Sequence, residues 1–444
     1  MEQETPSPGL GERLVNKVRT SATVRLFLIG ILVLILLIPS GMIQSLVYER
    51  QSTHDEAINE ISNKWGLEQR ITGPVLMVPF TVTRKDANGQ LYTETDYSYY
   101  LPDEIEVGGD MKSEKRHRGI YEAVLYQSKM HVKGNFGPQF TNVLPALPAT
   151  ANMQEAKLIV GISDVRGIRN KVTMKWDSLE IVAQPGGNLN LLGSGISFPL
   201  NKIDFTKGGA FEFDLELAGS QAMFFTPVGK NTIVNLKSDW PSPSFDGAFL
   251  PVHEDKPTGF TAQWRVLELN RSFLQHWEGE NPNLSASDFG VKMWIAADEY
   301  QKTHRSVRYC VLFISLTFIF FFIIELRSGI PVHPVQYLLI GLAISIFYLL
   351  LLSLSEWLGF DKAYFISAAA VTGLIALFSI SVLRNKFYSA VAALVQVLLY
   401  IFLYTTLRLE DLSLLIGSIG LFLTLAVLMY FSRGLNKDET TPKA

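Results

Sequence analysis

Pro331-Val-His-Pro-Val-Gln-Tyr-Leu-Leu-Ile-Gly-Leu-Ala-Ile-Ser-Ile-Phe-Tyr-Leu-Leu-Leu-Leu-Ser-Leu-Ser-Glu356 is the stretch whose reading decides the fold. A bilayer core needs about 20 apolar residues in a helix, and the run from Val335 to Leu354 has that length without a charge. It reads as a membrane helix with a His-Pro entry and a Ser-Leu-Ser-Glu exit.

Working outward, hydrophobicity of the same kind covers five blocks, 309–326, 335–354, 363–383, 388–407 and 412–431. A sixth run lies far upstream at 24–43, preceded by Arg13, Lys17, Arg19 and, at its lip, Arg25. A cleavable signal peptide is the alternative for this run. Its length and the lack of a small-residue cleavage site after it favour an uncleaved signal anchor. The expected architecture is membrane α plus soluble β, with six transmembrane helices and a large domain, 44–308, between the first and second. The termini, 1–23 and 432–444, are then cytoplasmic tails.

Orientation follows from basic residues in the short loops. With the N-terminus inside, inner loops carry Arg327, Arg384, Lys386, Arg433 and Lys437, and outer loops carry Lys362 and Arg408. Lys302, Arg305 and Arg308 crowd the outer side of the second span. A long translocated domain largely ignores the charge rule, so the expectation stays N-in and C-in with the large domain in the periplasm.

Within 44–308 the texture changes. Phe211-Glu-Phe-Asp-Leu-Glu-Leu217 alternates apolar and acidic residues, and a strand turns such residues to opposite faces. Shorter runs of this type lie at 75–82, 97–101, 121–132, 157–162, 179–183 and 232–236, and turn residues such as Asp86-Ala-Asn-Gly89 separate them. The segment from Glu49 to Arg70 has helical character. An antiparallel, sandwich-like β domain is expected. Ser128–Gly134 and Phe213–Gly219, each a strand running into glycine, raise the option of an internal duplication.

Composition bounds the chemistry. The 444 residues carry a net charge of −3, which calls for no nucleic acid or strongly acidic partner. The one cysteine, Cys310, permits no internal disulfide and no cysteine-based zinc pattern. HExxH, Walker and GxSxG motifs are missing, and no serine has lysine three residues later. The expectation is a protein without catalytic, cofactor-binding or metal-ligating residues, whose partners are the lipid bilayer and components or proteins of the envelope.

At this point the chain resembles, along nearly its whole length, the CreD family of bacterial inner-membrane proteins. The matching stretches include Leu46-Val47-x-Glu49-Arg50, Gly73-Pro74-Val75-Leu76-x-Val78-Pro79-Phe80 and Ile162-Ser163-Asp164-x-Arg166-Gly167-Ile168. Ser238-Asp239-Trp240-Pro241-x-Pro243-Ser244-Phe245, Gly259-Phe260-x-Ala262-x-Trp264 and His333-Pro334-x-Gln336-Tyr337-Leu338-Leu339 continue the match. The family often has histidine after the Ser-Glu pair, where this chain has Trp357. The resemblance implies a role in cell-envelope integrity or stress under a carbon-source-responsive two-component system, with effects on β-lactam and colicin sensitivity. It brings no established enzymatic activity and no functional residues.

Candidate residues are therefore chosen on chemistry. Ionisable and polar groups within the membrane come first, namely Glu325, His333, Glu356 and the polar Gln396, with Gln336 of the His-Pro-x-Gln stretch as a further candidate. His333 and Glu356 are about 34 Å apart along one helix and cannot form a proton relay, whereas Glu325 and His333 flank one turn and could meet as a cap or interfacial pair. In the β domain, Asp164 with Arg166 offers a loop ion pair or a charged site. Trp240 belongs to an aromatic, proline-rich loop that either plugs the sandwich or binds peptide or glycan. Tyr337, Gly341, Ser345 and Tyr348 share one helix face and read as a packing seam. Small residues Ala369 with Gly373, and Ser413 with Gly417, offer matching faces on later spans. A transporter or lipid-handling protein is the alternative function, and a periplasmic hydrolase of peptidoglycan or glycan the third.

Overall fold

The computed structural model describes residues 22–86, 88–137, 148, 150–186, 191–279, 281–293, 299–408 and scattered positions between 415 and 429. Most of the expected span 412–431, including Ser413 and Gly417, lies outside the described residues, as do the chain termini. The chain divides into two units, one formed by the sequence up to Thr53 and from Ala297 onward, the other by His54–Ala296.

The helical unit contains α1 (Ala22–Trp65, which continues into the other unit), α2 (Glu299–Arg308), α3 (Cys310–Ser328), α4 (Pro334–Leu358), α5 (Phe360–Leu383) and α6 (Lys386–Arg408). Among the described residues, five of these, all but α2, are long and apolar enough to cross a membrane. The apolar run 24–43 is only the first part of α1, which continues through the polar segment to Trp65.

Local chemistry sets the α3–α4 corner. Gly329, at φ 66°, takes the left-handed conformation that ends α3. Pro334 then starts α4, where its missing N–H costs nothing. His333 caps that start. Its Nδ1 accepts from the Val335 N–H at 3.3 Å, and its own N–H donates to Gln336 Oε1 at 2.8 Å.

The other unit is β-rich. One sheet of nine strands runs in the order Pro243–Gly247, Phe289–Met293, Ala222–Thr226, Gln69–Lys85, Lys157–Ile162, Gly195–Pro199, Gln184–Pro185, with Leu91–Tyr100 also paired to the long Gln69–Lys85 strand and His276–Glu278 paired to Leu91–Tyr100. The second, of eight strands, runs Val252–Lys256, Gly259–Leu267, Asn231–Ser238, Glu104–Arg118, Tyr121–Phe136, Gly209–Ser220, Thr173–Trp176, Leu179–Val182. Both sheets are mixed, mostly antiparallel with one parallel pairing each. Gln69–Lys85 pairs in parallel with Ala222–Thr226, and Glu104–Arg118 with Asn231–Ser238. These two pairings join strands more than 100 residues apart, which local alternation does not encode.

The alternating stretch behaves as its chemistry demands. Phe211, Phe213, Leu215 and Leu217 are buried, while Glu212 and Asp214 are exposed. On the wet face the acids meet bases on neighbouring strands, Glu212 with Lys175, Asp214 with His131 and Glu216 with Lys129. The two glycine-ended stretches lie side by side in this sheet as antiparallel neighbours, with Ser128 opposite Leu217. Both sheets feed one core. Phe198 of the first lies 5.6 Å from Phe213 of the second, and Phe289 of the first 5.5 Å from Trp264 of the second. The arrangement is therefore a sandwich.

Candidate functional site

In the helical unit, α4 presents Tyr337, Ser345 and Tyr348 fully to the interior. The Tyr337 hydroxyl donates to Glu325 Oε2 at 2.9 Å, and Arg25 Nη1 donates to Glu325 Oε1 at 2.6 Å. Glu325 thus joins α1, α3 and α4. It does not meet His333, whose role is the helix cap. Gly341 is where α4 comes closest to its neighbours, because a Cβ there would lie 2.2 Å from Leu36 Cδ1 and 2.9 Å from Phe318 Cζ. Ser345 donates back to the Gly341 carbonyl at 3.1 Å. Glu356 is half-buried near the far end of α4, beside the exposed Trp357.

Further polar groups fill the bundle. Ser40 Oγ lies 3.2 Å from Cys310 Sγ, Thr317 Oγ1 is 3.3 Å from Gln396 Oε1, and the Tyr364 hydroxyl donates to the Tyr400 carbonyl at 2.7 Å. The hydroxyls of Tyr348 and Ser367 are buried without a hydrogen-bond partner among the described residues.

In the β unit the Ser163-Asp-Val-Arg-Gly167 turn is a lock. Asp164 is buried and caps a short helical turn by accepting from the Arg166 N–H, and it also accepts from the Leu67 N–H at 3.0 Å. Arg166 grips the same carboxylate with two nitrogens, at 2.8 and 2.9 Å. That bidentate contact holds the Asp164 carboxyl below the usual aspartate range, with the Leu67 N–H helping against the opposing effect of burial. Gly167 has no room for a side chain, since a Cβ would sit 2.2 Å from the Ala218 carbonyl oxygen.

The same arginines finish the long helix. Arg166 Nη1 donates to the Asn63 carbonyl at 3.2 Å and Arg169 Nη2 to the Trp65 carbonyl at 2.8 Å, where the helix leaves its last carbonyls unsatisfied. Arg116 and Arg169 lie over the Trp65 ring at 5.6 and 5.0 Å, and the Trp65 indole N–H donates to the Tyr126 carbonyl at 3.2 Å. Asp164 and Arg166 therefore clamp the end of α1 to the sheets.

Beside this lock opens a cleft of about 410 Å³. Arg70 stands on one wall, its Nε 2.5 Å from Asp288 Oδ2 but off the hydrogen-bonding axis. Asp288 is buried and accepts from Thr226 Oγ1 at 2.5 Å, and Thr226 in turn meets Thr72 Oγ1 at 2.8 Å. Burial pushes the Asp288 carboxyl above the usual range against the pull of Thr226 and Arg70. The sequence reading missed Arg70 and Asp288, which are 218 residues apart (288 − 70). Only the sheet register brings them together.

A second unforeseen cluster joins Ser98, Tyr100, His276 and Glu278. Ser98 Oγ lies 3.1 Å from His276 Nε2 and 3.3 Å from Glu278 Oε1, and the His276 ring stacks on Tyr100 at 4.5 Å. Burial lowers the His276 pKa, opposed by Glu278. The residue types are those of a hydrolytic triad, but Glu278 approaches the same ring nitrogen as Ser98, at 3.7 Å. A triad acid orients the other nitrogen, and Ser98 is fully buried. Trp240 is buried too, with its indole N–H on the Ser242 carbonyl at 3.0 Å and Lys115 Nζ at 5.6 Å from its ring. Phe245 and Phe249 pack against the core beside it.

These features define a membrane protein with several long apolar helices and a large β-rich unit. The family described as inner membrane protein CreD matches residues 21–437. A relative in Escherichia coli (strain K12), Inner membrane protein CreD, is 30% identical over 414 residues, covering 91% of each chain. The chain belongs to the CreD family of inner-membrane proteins.

Proposed function

We propose that this protein supports the integrity of the cell envelope without enzymatic activity, through a periplasmic β domain held between the first and second of six membrane spans, with both termini in the cytoplasm. The observation that carries the reading is the loop charge. With the N-terminus inside, the short inner loops and tail carry Arg327, Arg384, Lys386, Arg433 and Lys437 and the short outer loops Lys362 and Arg408, while Lys302, Arg305 and Arg308 belong to the end of the long domain, which largely ignores the charge rule; this balance favours a large domain outside. The sealed Ser98–His276 pair supports a domain that binds or braces rather than hydrolyses. Glu325 and His333, spent on an interhelical pair and a cap, support a packed bundle over a gated path.

The test is a deletion strain assayed for outer-membrane permeability and complemented with the chain carrying Glu325→Gln or His333→Asn, together with in-cell crosslinking. A restored permeability barrier with both variants, and a crosslinked envelope protein, supports the reading. Loss of complementation at unchanged protein level contradicts it and favours transport.

A further inference from the structure

We propose that the cleft beside Arg70 binds a dipeptide-sized zwitterion, with the ligand's ammonium at Glu68 and its carboxylate at Arg70. Glu68 and Arg70 are exposed and Gln69 between them is buried, so both charges stand on one side of the extended chain. Glu68 immediately precedes the strand that starts at Gln69, and two residues of extended chain advance about 7 Å, which is also about the length of an extended dipeptide. The charges of the cleft and of an uncapped dipeptide are thus matched in sign, on backbones of comparable length.

The surroundings are built for such a guest. Asp288 engages Arg70 through Nε, and among the described residues the terminal nitrogens of Arg70 meet no acceptor, so a planar fork is held ready for a carboxylate. Phe224 stands opposite Arg70 in the parallel register and supplies an apolar wall of the cleft. On the floor, the Ser220 hydroxyl is buried and has no hydrogen-bond partner among the described residues. Its neighbour Gln221 holds φ 62°, a conformation that a residue other than glycine adopts at a cost. Such strain gathers where ligands are clamped. A cleft of about 410 Å³ falls in the size range of small-ligand sites. Binding of this kind needs only the cleft, so it holds even where the envelope reading above fails.

The experiment is calorimetric titration of the full-length protein in detergent micelles with alanyl-phenylalanine, its N-acetyl and C-amide forms, and phosphoethanolamine. The expected result is saturable binding of the free dipeptide, weakened at least about tenfold by capping either end. Glu68→Gln, which leaves the Asp288 pair intact, is expected to weaken the free dipeptide by a similar factor and leave the N-acetyl form unchanged. Absence of dipeptide binding, indifference to capping, or equal affinity in Glu68→Gln overturns the proposal. Tighter binding of phosphoethanolamine than of the dipeptide also overturns it, by assigning the cleft to a lipid head group.

Discussion

Glu325 has 2% of its side chain exposed and its partner Arg25 has 24%, an asymmetry that decides what mutation costs. Removing Arg25 strands a buried carboxylate, and breaking a buried pair in that way costs about 3–5 kcal/mol. Removing the charge of Glu325 leaves Arg25 able to turn outward. Arg25→Ala is therefore expected to lower the unfolding temperature in detergent clearly more than Glu325→Gln. Equal losses would contradict this. Asp164 gives a pH prediction. Its folded pKa lies below its unfolded value, near 3.8, so its contribution is complete above that pH and is lost as pH falls through the folded pKa. In Asp164→Asn, denaturant midpoints should be lower at neutral pH and should flatten in their acid-side slope. His333 as a cap follows from the local His-Pro-x-Gln pattern and is readable in sequence. Glu325's partner stands 300 residues away and is not.

Elements divide in the same way. The dry-wet faces of 211–217 follow from period-two alternation, because that strand is wet on one side only, whereas 157–162 is buried almost throughout and 179–182 has no buried residue, so their faces are set by the sheets around them. The parallel pairings and the Arg70–Asp288 contact depend on register between distant strands, and no local pattern carries that. Helix α4 presents its small residue at its closest approach. A Cβ at Gly341 would meet the flexible ends of Leu36 and Phe318, so Gly341→Ala should cost about 1–3 kcal/mol through overpacking. Trimming the obstacle with Leu36→Ala should make the double change cost less than the sum of the single ones in thermal unfolding. Additive losses would place the close approach elsewhere. At the end of α1, Trp65→Ala should speed amide exchange over the last turn of the helix. The loss removes two cation–π contacts of about 0.5–1 kcal/mol each, together with the ring's packing.

At the scale of the whole chain, composition and hydropathy reveal a membrane protein with a large β-rich unit, since apolar length and alternation are both local signals, and the family match makes it an inner-membrane protein. The proposal that this unit lies in the periplasm rests on loop charge, and the single native cysteine makes it directly testable. Cys310 is fully buried, so Cys310→Ser gives a background with no reporter of its own. Leu269, 88% exposed in the β unit, and Lys437, in the tail, are then replaced one at a time by cysteine. In cells with a permeabilised outer membrane, a membrane-impermeant maleimide is expected to label Leu269→Cys, and to label Lys437→Cys only after the inner membrane is broken. Labelling of the tail position in intact spheroplasts, with the Leu269 position protected, would contradict the account.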